Sequence, residues 1–396
     1  LIDDDSIMSS AFDYEFFGLR DAAEAAAFWP KQRMVLETGY VLLAEAGFTR
    51  ETLHNRFISS FIGDSAFDWF NHMMINGDCF KDPSLAPHMW KSINKSITAT
   101  RVAYVFGLRG ATASIDTACS SGLIAFSLAV ASMRSPQKAQ FRTQCCGTAV
   151  EGAITGGVSI HIGPEGYVGA CAASMLSHKG RCWTFDKSAD GFGRGEGTSL
   201  VYSTAVNDDA EKDRMIACCI GAVANENGRA ATITAPNGPS QQACTRASLR
   251  EGGLSAGEVS ASECHGTGTA LGDPIETSAL MAVHGMERKN GTGMGMTSSK
   301  SNIGHGEENA GAAALVKCIL MAKHSVCPAN VHLHAMNATM VSEGFPALFT
   351  PEHLDSNSNS VVVGVNSFGF GGANSHAEIW GRARAGVRAT GTIPLE

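Results

Sequence analysis

The apolar positions along this chain change period repeatedly, and each change predicts an element. Arg20 to Phe48 carries helical apolar spacing, interrupted at Pro30 and stopped at Gly47. "FISSFIGDS" is a short apolar run of strand length ending in a turn, and "SINKSITATRVAYVFGL" returns to helical spacing. "ATASIDTA" rises as a strand to Cys119, and "SSGLIAFSLAVASM" continues as an apolar core helix. The polar segment "SPQKAQFRTQCCG" predicts a surface connection. "AVEGAITGGVSIHIG" then reads as strand-rich, and "GRCWTFDKSADGFGRGEGTSLVYSTA" as glycine turns leading into another strand.

From Met215 the pattern restarts. A strand "MIACCIGAVA" precedes the loop "TITAPNGPS" and the helix "SQQACTRASLREGGL". Strand "VSASECH", a helix from about Asp273, strand "GMGMTSSK" and helix "AGAAALVKCILMAK" follow. The strand pair "SVVVGVNSF" and "NSHAEIWG" flanks the turn "GFGG". Strands alternating with helices in both halves predict an α/β layered fold.

Composition narrows the function classes. The chain has 396 residues, 44% hydrophobic and 17% charged, enough to bury a substantial core. A formal charge of −8, without a clustered Lys/Arg run, argues against nucleic-acid binding. No apolar run approaches the roughly 18 residues that span a bilayer. The adjacent pairs Cys145-Cys146 and Cys218-Cys219 do not resemble a disulfide framework, and no CxxC spacing marks zinc. Reduced thiols in an intracellular protein, cytoplasmic or organellar, are expected. His332 and His334 lack an accompanying Cys or carboxylate set, so no metal site is expected. The start at Leu1 and the tail-like "LIDDDSIMSS" suggest a fragment of something longer.

Cys119 at a strand-to-helix junction has two readings. A free cysteine is usually a buried structural residue. A helix N-terminus also lowers a thiol's pKa and offers N–H groups to an oxyanion. His265 in "ECHGTGTALGDPIE", and Lys300 and His305 in "SSKSNIGHGEENAGAAALVK", each have a structural alternative when taken singly. So does the glycine-rich turn of "NSFGFGGANSH".

Together and in this order, these stretches resemble the β-ketoacyl synthase family, the condensing enzymes of fatty acid and polyketide assembly. The resemblance runs from about Phe12 to near Trp380 and includes "SMLSHKGRCWTFDKSADGFGRGEG" and "TAPNGPSQ". "DTACSS", "HGTGT" and "KSNIGH" are intact, and the motifs match the polyketide-synthase branch more closely than stand-alone bacterial fatty acid synthases.

The resemblance implies a thiolase-like αβαβα layered sandwich of two similar halves, each with a mixed five-stranded sheet. Residues 1–213 form the nucleophile half, with its first strand missing upstream; 214–384 form the histidine half, and 385–396 a linker or tail. It implies that Cys119 accepts an acyl chain from a carrier protein's phosphopantetheine thioester, its thiolate favoured by the helix dipole. The backbone N–H groups of Cys119 and Phe370 form the oxyanion hole. His265 and His305 stabilise the enolate left when a malonyl-type thioester loses carbon dioxide, and Lys300 orients and tunes His305 through the local hydrogen-bond network. Thr234, Thr267, Thr269 and Phe370 contact substrate, with Phe370 also a gate; turn chemistry is the alternative for the threonines. Asp116, Asp273, Glu276 and His376 match structural positions. The domain itself binds no cofactor. Expected partners are an acyl carrier protein, a second copy of the chain through the "GATASIDTA" strand, and other synthase domains in a longer polypeptide.

The sequence departs from the family at "AAAFWPKQR", which replaces the usual "AMDPQQR", with no expected catalytic consequence. Gly122 stands where Ser is frequent, and Cys264 where Ala is common. The alternative function is a condensation-silent partner that binds or passes acyl chains. Such relatives usually lack the cysteine or the first histidine, whereas this chain keeps Cys119, His265 and His305. A thiolase or chalcone-synthase-like enzyme is disfavoured by the two-histidine pattern.

Overall fold

The computed structural model describes residues 12–383 apart from 66–67, 76–80, 82, 135–149, 207–212, 289–292, 341–344 and 357. The predicted connection around Cys145-Cys146 therefore lies outside the described residues. So do the N-terminal segment and the tail.

The first sheet is built from β1 (Ile58–Gly63), β2 (Thr112–Ile115), β3 (Gly152–Ser159) and β4 (Gly197–Ser203), in the order β2-β1-β3-β4. β1 runs parallel to β2 and β3, and β4 closes the far edge antiparallel. The second sheet uses β5 (Cys218–Glu226), β6 (Ala261–Glu263), β7 (Met294–Thr297), β9 (Ala347–Phe349), β11 (Ser360–Phe368) and β12 (Ala373–Arg382). Its order is β5-β12-β11-β6-β7-β9. β8 (Val326–Cys327) and β10 (Leu354–Asp355) form a small separate ribbon.

The expected five strands per sheet become four and six among the described residues. No described strand precedes β1, and the short run at Ala347–Phe349 adds an edge by pairing parallel with β7. Three residues are too few for periodicity to reveal, so β9 carried no signal of its own.

Helices complete the layers. On the outer face of the first sheet, α1 (Pro30–Glu45) and α2 (Ser96–Phe106) share a core of Val35, Leu36, Leu43, Val102 and Phe106 with Ile58, Ile62 and Ile154. Between the sheets lie α3 (Ser121–Arg134) and α6 (Ala310–His324). Leu123, Phe126 and Val130 of α3 meet Leu315, Cys318 and Met321 of α6 and Val363 and Val365 of β11. Such a helix must be apolar all round, as "SSGLIAFSLAVASM" is. On the outer face of the second sheet, α4 (Gly238–Gly252) and α5 (Gly272–His284) pack Leu249, Leu280 and Val283 onto Met294, Met296 and Val362. This sandwich is the αβαβα order predicted, with mixed sheets inside three helical layers.

The central helices approach closely because small residues face each other. A Cβ on Gly122 would lie 2.9 Å from the Glu308 carbonyl oxygen, and one on Gly311 would lie 2.9 Å from Leu123 Cβ. That approach sets the junction before α3 against the segment before α6.

Candidate active site

Cys119 occupies the turn between β2 and α3. Ala118 adopts φ 52°, a left-handed conformation uncommon for a residue with a side chain. Local hydrogen bonds hold it there. Ser121 Oγ donates to the Ala118 carbonyl at 2.6 Å, Ser120 Oγ donates to the Thr117 carbonyl at 3.0 Å, and the Thr117 N–H donates to Ser121 Oγ at 2.9 Å. From the second half, Ser367 Oγ donates to the Cys119 carbonyl at 2.8 Å. The serines of "CSS" thus shape the turn rather than supply a nucleophile.

His305 Nε2 stands 3.1 Å from Cys119 Sγ. The His305 and His265 rings meet edge to face with centroids 5.4 Å apart. All three side chains therefore converge, although they come from different halves of the chain. His305 is fixed through its backbone: its N–H donates to the Gly193 carbonyl at 2.7 Å, and its carbonyl accepts from the Gly195 N–H at 2.9 Å. His265 is held by Glu276, which accepts from the His265 and Gly266 N–H groups at 2.7 and 2.9 Å. The Phe368 N–H donates to His265 Nδ1 at 3.3 Å, so the ring hydrogen belongs on Nε2.

Burial and the nearby Lys300 ammonium hold both imidazoles well below the usual histidine range, so both are neutral at pH 7. Cys119 departs from expectation. Burial pushes its thiol up to about 12, Glu307 and Glu308 add to the rise, and Lys300 and the Phe370 backbone N–H oppose it. Desolvation is the largest of these effects. The resting group is a thiol beside a neutral imidazole.

Lys300 also differs from expectation. Its buried ammonium makes no hydrogen bond to a described residue, His305 included. It acts on both histidines and on Cys119 through its charge, while burial lowers its own pKa. Phe370 lies in the turn between β11 and β12, with its backbone N–H directed at the Cys119 sulfur, and the residue is 48% exposed. Thr267 and Thr269 follow His265, their hydroxyls 3.1 Å apart, and the Gly272 N–H donates to Thr269 Oγ1 at 3.2 Å. Thr234 is exposed in the loop before α4, with its Oγ1 3.3 Å from that of Thr232.

Asp273 accepts from the Phe185 and Gly268 N–H groups at 2.9 and 3.1 Å. His376 bridges Asn366 and Glu378 at 2.6 and 2.7 Å, and Asp116 meets Lys95 at 2.7 Å near the surface. His332 and His334 stand beside Trp183 at 5.3 and 6.0 Å rather than on a strand. No His/Cys/Asp/Glu group among the described residues has the geometry of a metal site.

Two positioning groups escaped sequence reasoning. Arg194 makes a two-pronged contact with Glu307, 2.9 Å at each oxygen, that ties "GFGRGEG" to the His305 loop. Glu263 accepts from Thr297 Oγ1 at 2.6 Å and the Ser299 N–H at 2.5 Å and pairs with Lys317 at 2.6 Å, joining β6 to the start of "KSNIGH". An acidic residue at a strand end inside an apolar run was the available signal for Glu263. Arg194 had none, because its partner lies 113 positions away.

Comparison with known proteins decides the family. The family model of the β-ketoacyl synthase N-terminal domain matches residues 6–208, and that of its C-terminal domain matches 216–334. The chain belongs to the β-ketoacyl synthase family. It is 34% identical over 387 residues to a phenolphthiocerol/phthiocerol polyketide synthase of Mycobacterium tuberculosis, covering 97% of this chain and 17% of that protein. It is 36% identical over 373 residues to the mycoketide-CoA synthase of the same organism, covering 93% and 8%. The chain thus spans a small part of these relatives.

Among solved structures, the ketosynthase from module 6 of the Bacillus subtilis bacillaene synthase superposes with a TM-score of 0.81 at 30% identity, covering 94% of this chain and 63% of that one. The oxazolomycin ketosynthase domain of Streptomyces albus gives 0.84 at 28%, covering 94% and 63%. This chain is a ketosynthase domain of the polyketide-synthase type, an acyltransferase with the thiolase-like fold.

Proposed function

We propose that this ketosynthase performs the decarboxylative Claisen condensation of a Cys119-bound acyl chain with a malonyl-type thioester on an acyl carrier protein. The observation that carries the reading is the convergence of Cys119 Sγ, His305 Nε2 and the His265 ring in one place.

In the first step the Cys119 sulfur bonds to the acyl carbonyl, the bond from that carbonyl to the carrier sulfur breaks, and the Cys119 proton leaves with the carrier thiol. The N–H groups of Cys119 and Phe370 receive the transient oxyanion. His305 in its Nε2–H form supports the sulfur, which offsets the cost of forming a thiolate in a buried position.

In the second step the bond from the malonyl methylene to its carboxylate breaks and carbon dioxide leaves. The electron pair passes to the thioester oxygen as an enolate, which accepts hydrogen bonds from His265 and His305. The enolate carbon then attacks the acyl carbonyl, and the Cys119 sulfur departs as a thiolate that takes a proton from solvent. Neutral rings suit this role, because an N–H donor needs no net charge. Burial, with the Lys300 charge added to it, keeps the rings neutral.

Thr234, Thr267 and Thr269 line the approach for the phosphopantetheine arm, with Phe370 as gate. The domain needs no bound cofactor of its own. It works with an acyl carrier protein and neighbouring synthase domains, as a homodimer in a reducing compartment. β2 stands at a sheet edge with each residue half-buried, which suits pairing with its copy across a two-fold axis. Described cysteines are free thiols, and no described helix is long and apolar enough to cross a membrane. The test is carbon dioxide release and β-ketoacyl product from an acyl donor and malonyl-loaded carrier protein. Carbon dioxide without ketoacyl product from the unaltered protein would leave a condensation-silent domain.

A further inference from the structure

The stretch "WPKQR", where the chain departs from the family's usual "DPQQR", places a buried cation between the end of β1 and the loop carrying His305. Lys31 is fully buried. Its Nζ lies 2.8 Å from Glu308 Oε1 and 3.3 Å from Asp64 Oδ1, and all three side chains are at most 1% exposed. Thr98 Oγ1 donates to the other Asp64 oxygen at 2.7 Å, and the Ser65 N–H donates to Glu308 at 3.3 Å. Burying three charges is costly unless they are closely paired, and removing one partner strands the rest.

The position of this cluster gives it a consequence for catalysis. Asp64 follows Gly63, the last residue of β1. A Cβ on Gly63 would lie 2.7 Å from the Gly122 nitrogen, so this strand end presses on the first turn of α3, just beyond Cys119. Glu308 stands three residues after His305, and its carbonyl rests against Gly122. Glu307, at φ 43°, turns the chain so that its own carboxylate meets Arg194 while the next carboxylate meets Lys31.

We propose that Lys31 is a positioning residue for Cys119: by bridging Asp64 and Glu308 it locks the strand end beneath the nucleophile to the loop carrying His305, and cancels negative charge buried behind the sulfur. This rests on Cys119 being the nucleophile. Other charged or titratable groups around the thiol and the cluster include Lys300, His265, His305, Cys182, His161, Asp68 and the Glu307–Arg194 pair, with the Asp116–Lys95 pair nearer the surface. Glu308 disfavours the thiolate, and Lys31 is the cation paired with it.

The experiment reads Cys119 directly. Second-order rates of iodoacetamide alkylation are measured from pH 7 to 10, with the Cys119 peptide followed by mass spectrometry, for wild type, Lys31→Met, Glu308→Gln and the double variant. Lys31→Met should move the profile to higher pH and slow alkylation about tenfold at pH 8. Glu308→Gln, which leaves Lys31 paired with Asp64, should move it to lower pH. The double variant should lie near wild type. If Lys31→Met or the double variant does not fold, Glu308→Gln decides. An unchanged profile in Glu308→Gln, or a double variant as slow as Lys31→Met, overturns the proposal. Because alkylation does not require condensation, that failure is separate from failure of the functional reading, which Cys119→Ala retaining condensation would reveal.

Discussion

His265 and His305 stand with ring centroids 5.4 Å apart, yet the segments behind them are built differently. The His265 ring is engaged from behind by the Phe368 N–H, and its backbone hangs on a Glu276 carboxylate that also takes Asn366 Nδ2 at 2.8 Å. Its tautomer and direction are fixed before substrate arrives. The His305 ring meets Cys119 Sγ through Nε2 and packs edge to face on Phe192 at 4.9 Å, and its Nδ1 makes no hydrogen bond to a described residue. In the proposed mechanism one histidine is a preset donor, and the other serves the sulfur in one step and the enolate in the next.

The largest expected effect tests the division between sulfur and imidazoles. Cys119→Ala should eliminate β-ketoacyl product in a carrier-protein assay. Cys119→Gln should do the same while retaining or raising carbon dioxide release, because a Gln amide can place its carbonyl in the oxyanion hole. Loss of decarboxylation in the Gln variant would break the comparison, since the histidines would then not suffice.

Next come the histidines themselves. His265→Ala or His305→Ala, each placed in the Cys119→Gln background, should lower carbon dioxide release about 10²–10³-fold, the usual worth of one preorganised donor. In that background release should also stay level from pH 8 to pH 6. Both rings sit well below the ordinary 6.5 because of burial and Lys300, so neither gains a proton in that range. A fall with a midpoint near 6.5 would mean that a ring is exposed or charged.

Glu276→Gln sharpens the contrast between the two loops. It should cost about 1–3 kcal/mol of stability, the penalty for an unsatisfied buried hydrogen-bonding group. It should also slow decarboxylation less than either His→Ala change, as the His265 ring keeps its contact with Phe368. Thermal melts and carbon dioxide release measure the two effects.

Asp273, one turn earlier on the same helix, supplies a pH signature. Burial, with Glu276 adding to it, raises its carboxyl from 3.8 to about 7, against the backbone N–H groups of Phe185 and Gly268. The folded protein thus keeps a proton that the unfolded chain releases above 3.8, so this group's contribution to stability falls as pH rises from about 4 to 7. Denaturant titrations at pH 5 and pH 7 should show a smaller difference in Asp273→Asn than in wild type. An unchanged difference would remove Asp273 from that account. The smallest effect belongs to Asp116→Asn, whose partly exposed pair with Lys95 should be worth less than about 1 kcal/mol in a thermal melt.

Much of this molecule was legible in the chain. The apolar helix after Cys119 predicted a helix buried on all sides, and α3 is one because it lies between two sheets. "HGTGTALGDPIE" placed His265, and also held its anchor Glu276, because a glycine turn followed by a helix returns the carboxylate to the turn's own N–H groups. Contacts across long separations were not legible. Nothing near Arg194 or Lys31 in sequence marks Glu307 or Glu308 as a partner, and in both cases the pairing depends on how the halves dock. The rise of the Cys119 thiol was missed for the same reason: a helix start shows in the sequence, but depth of burial does not.

The sequence by itself determined most of the order of strands and helices and which residues are candidates for the chemistry, because periodicity and turn chemistry act over a few residues. It also determined the family, since its motifs survive intact and in order. Only the tertiary structure decided that Cys119 rests as a thiol, that Lys300 makes no hydrogen bond to a described residue, and that Lys31 pairs with Asp64 and Glu308. Each of these depends on desolvation and on charges brought together from distant parts of the chain. Such energies are set by distances in space, which packing of the two sheets around α3 and α6 alone defines.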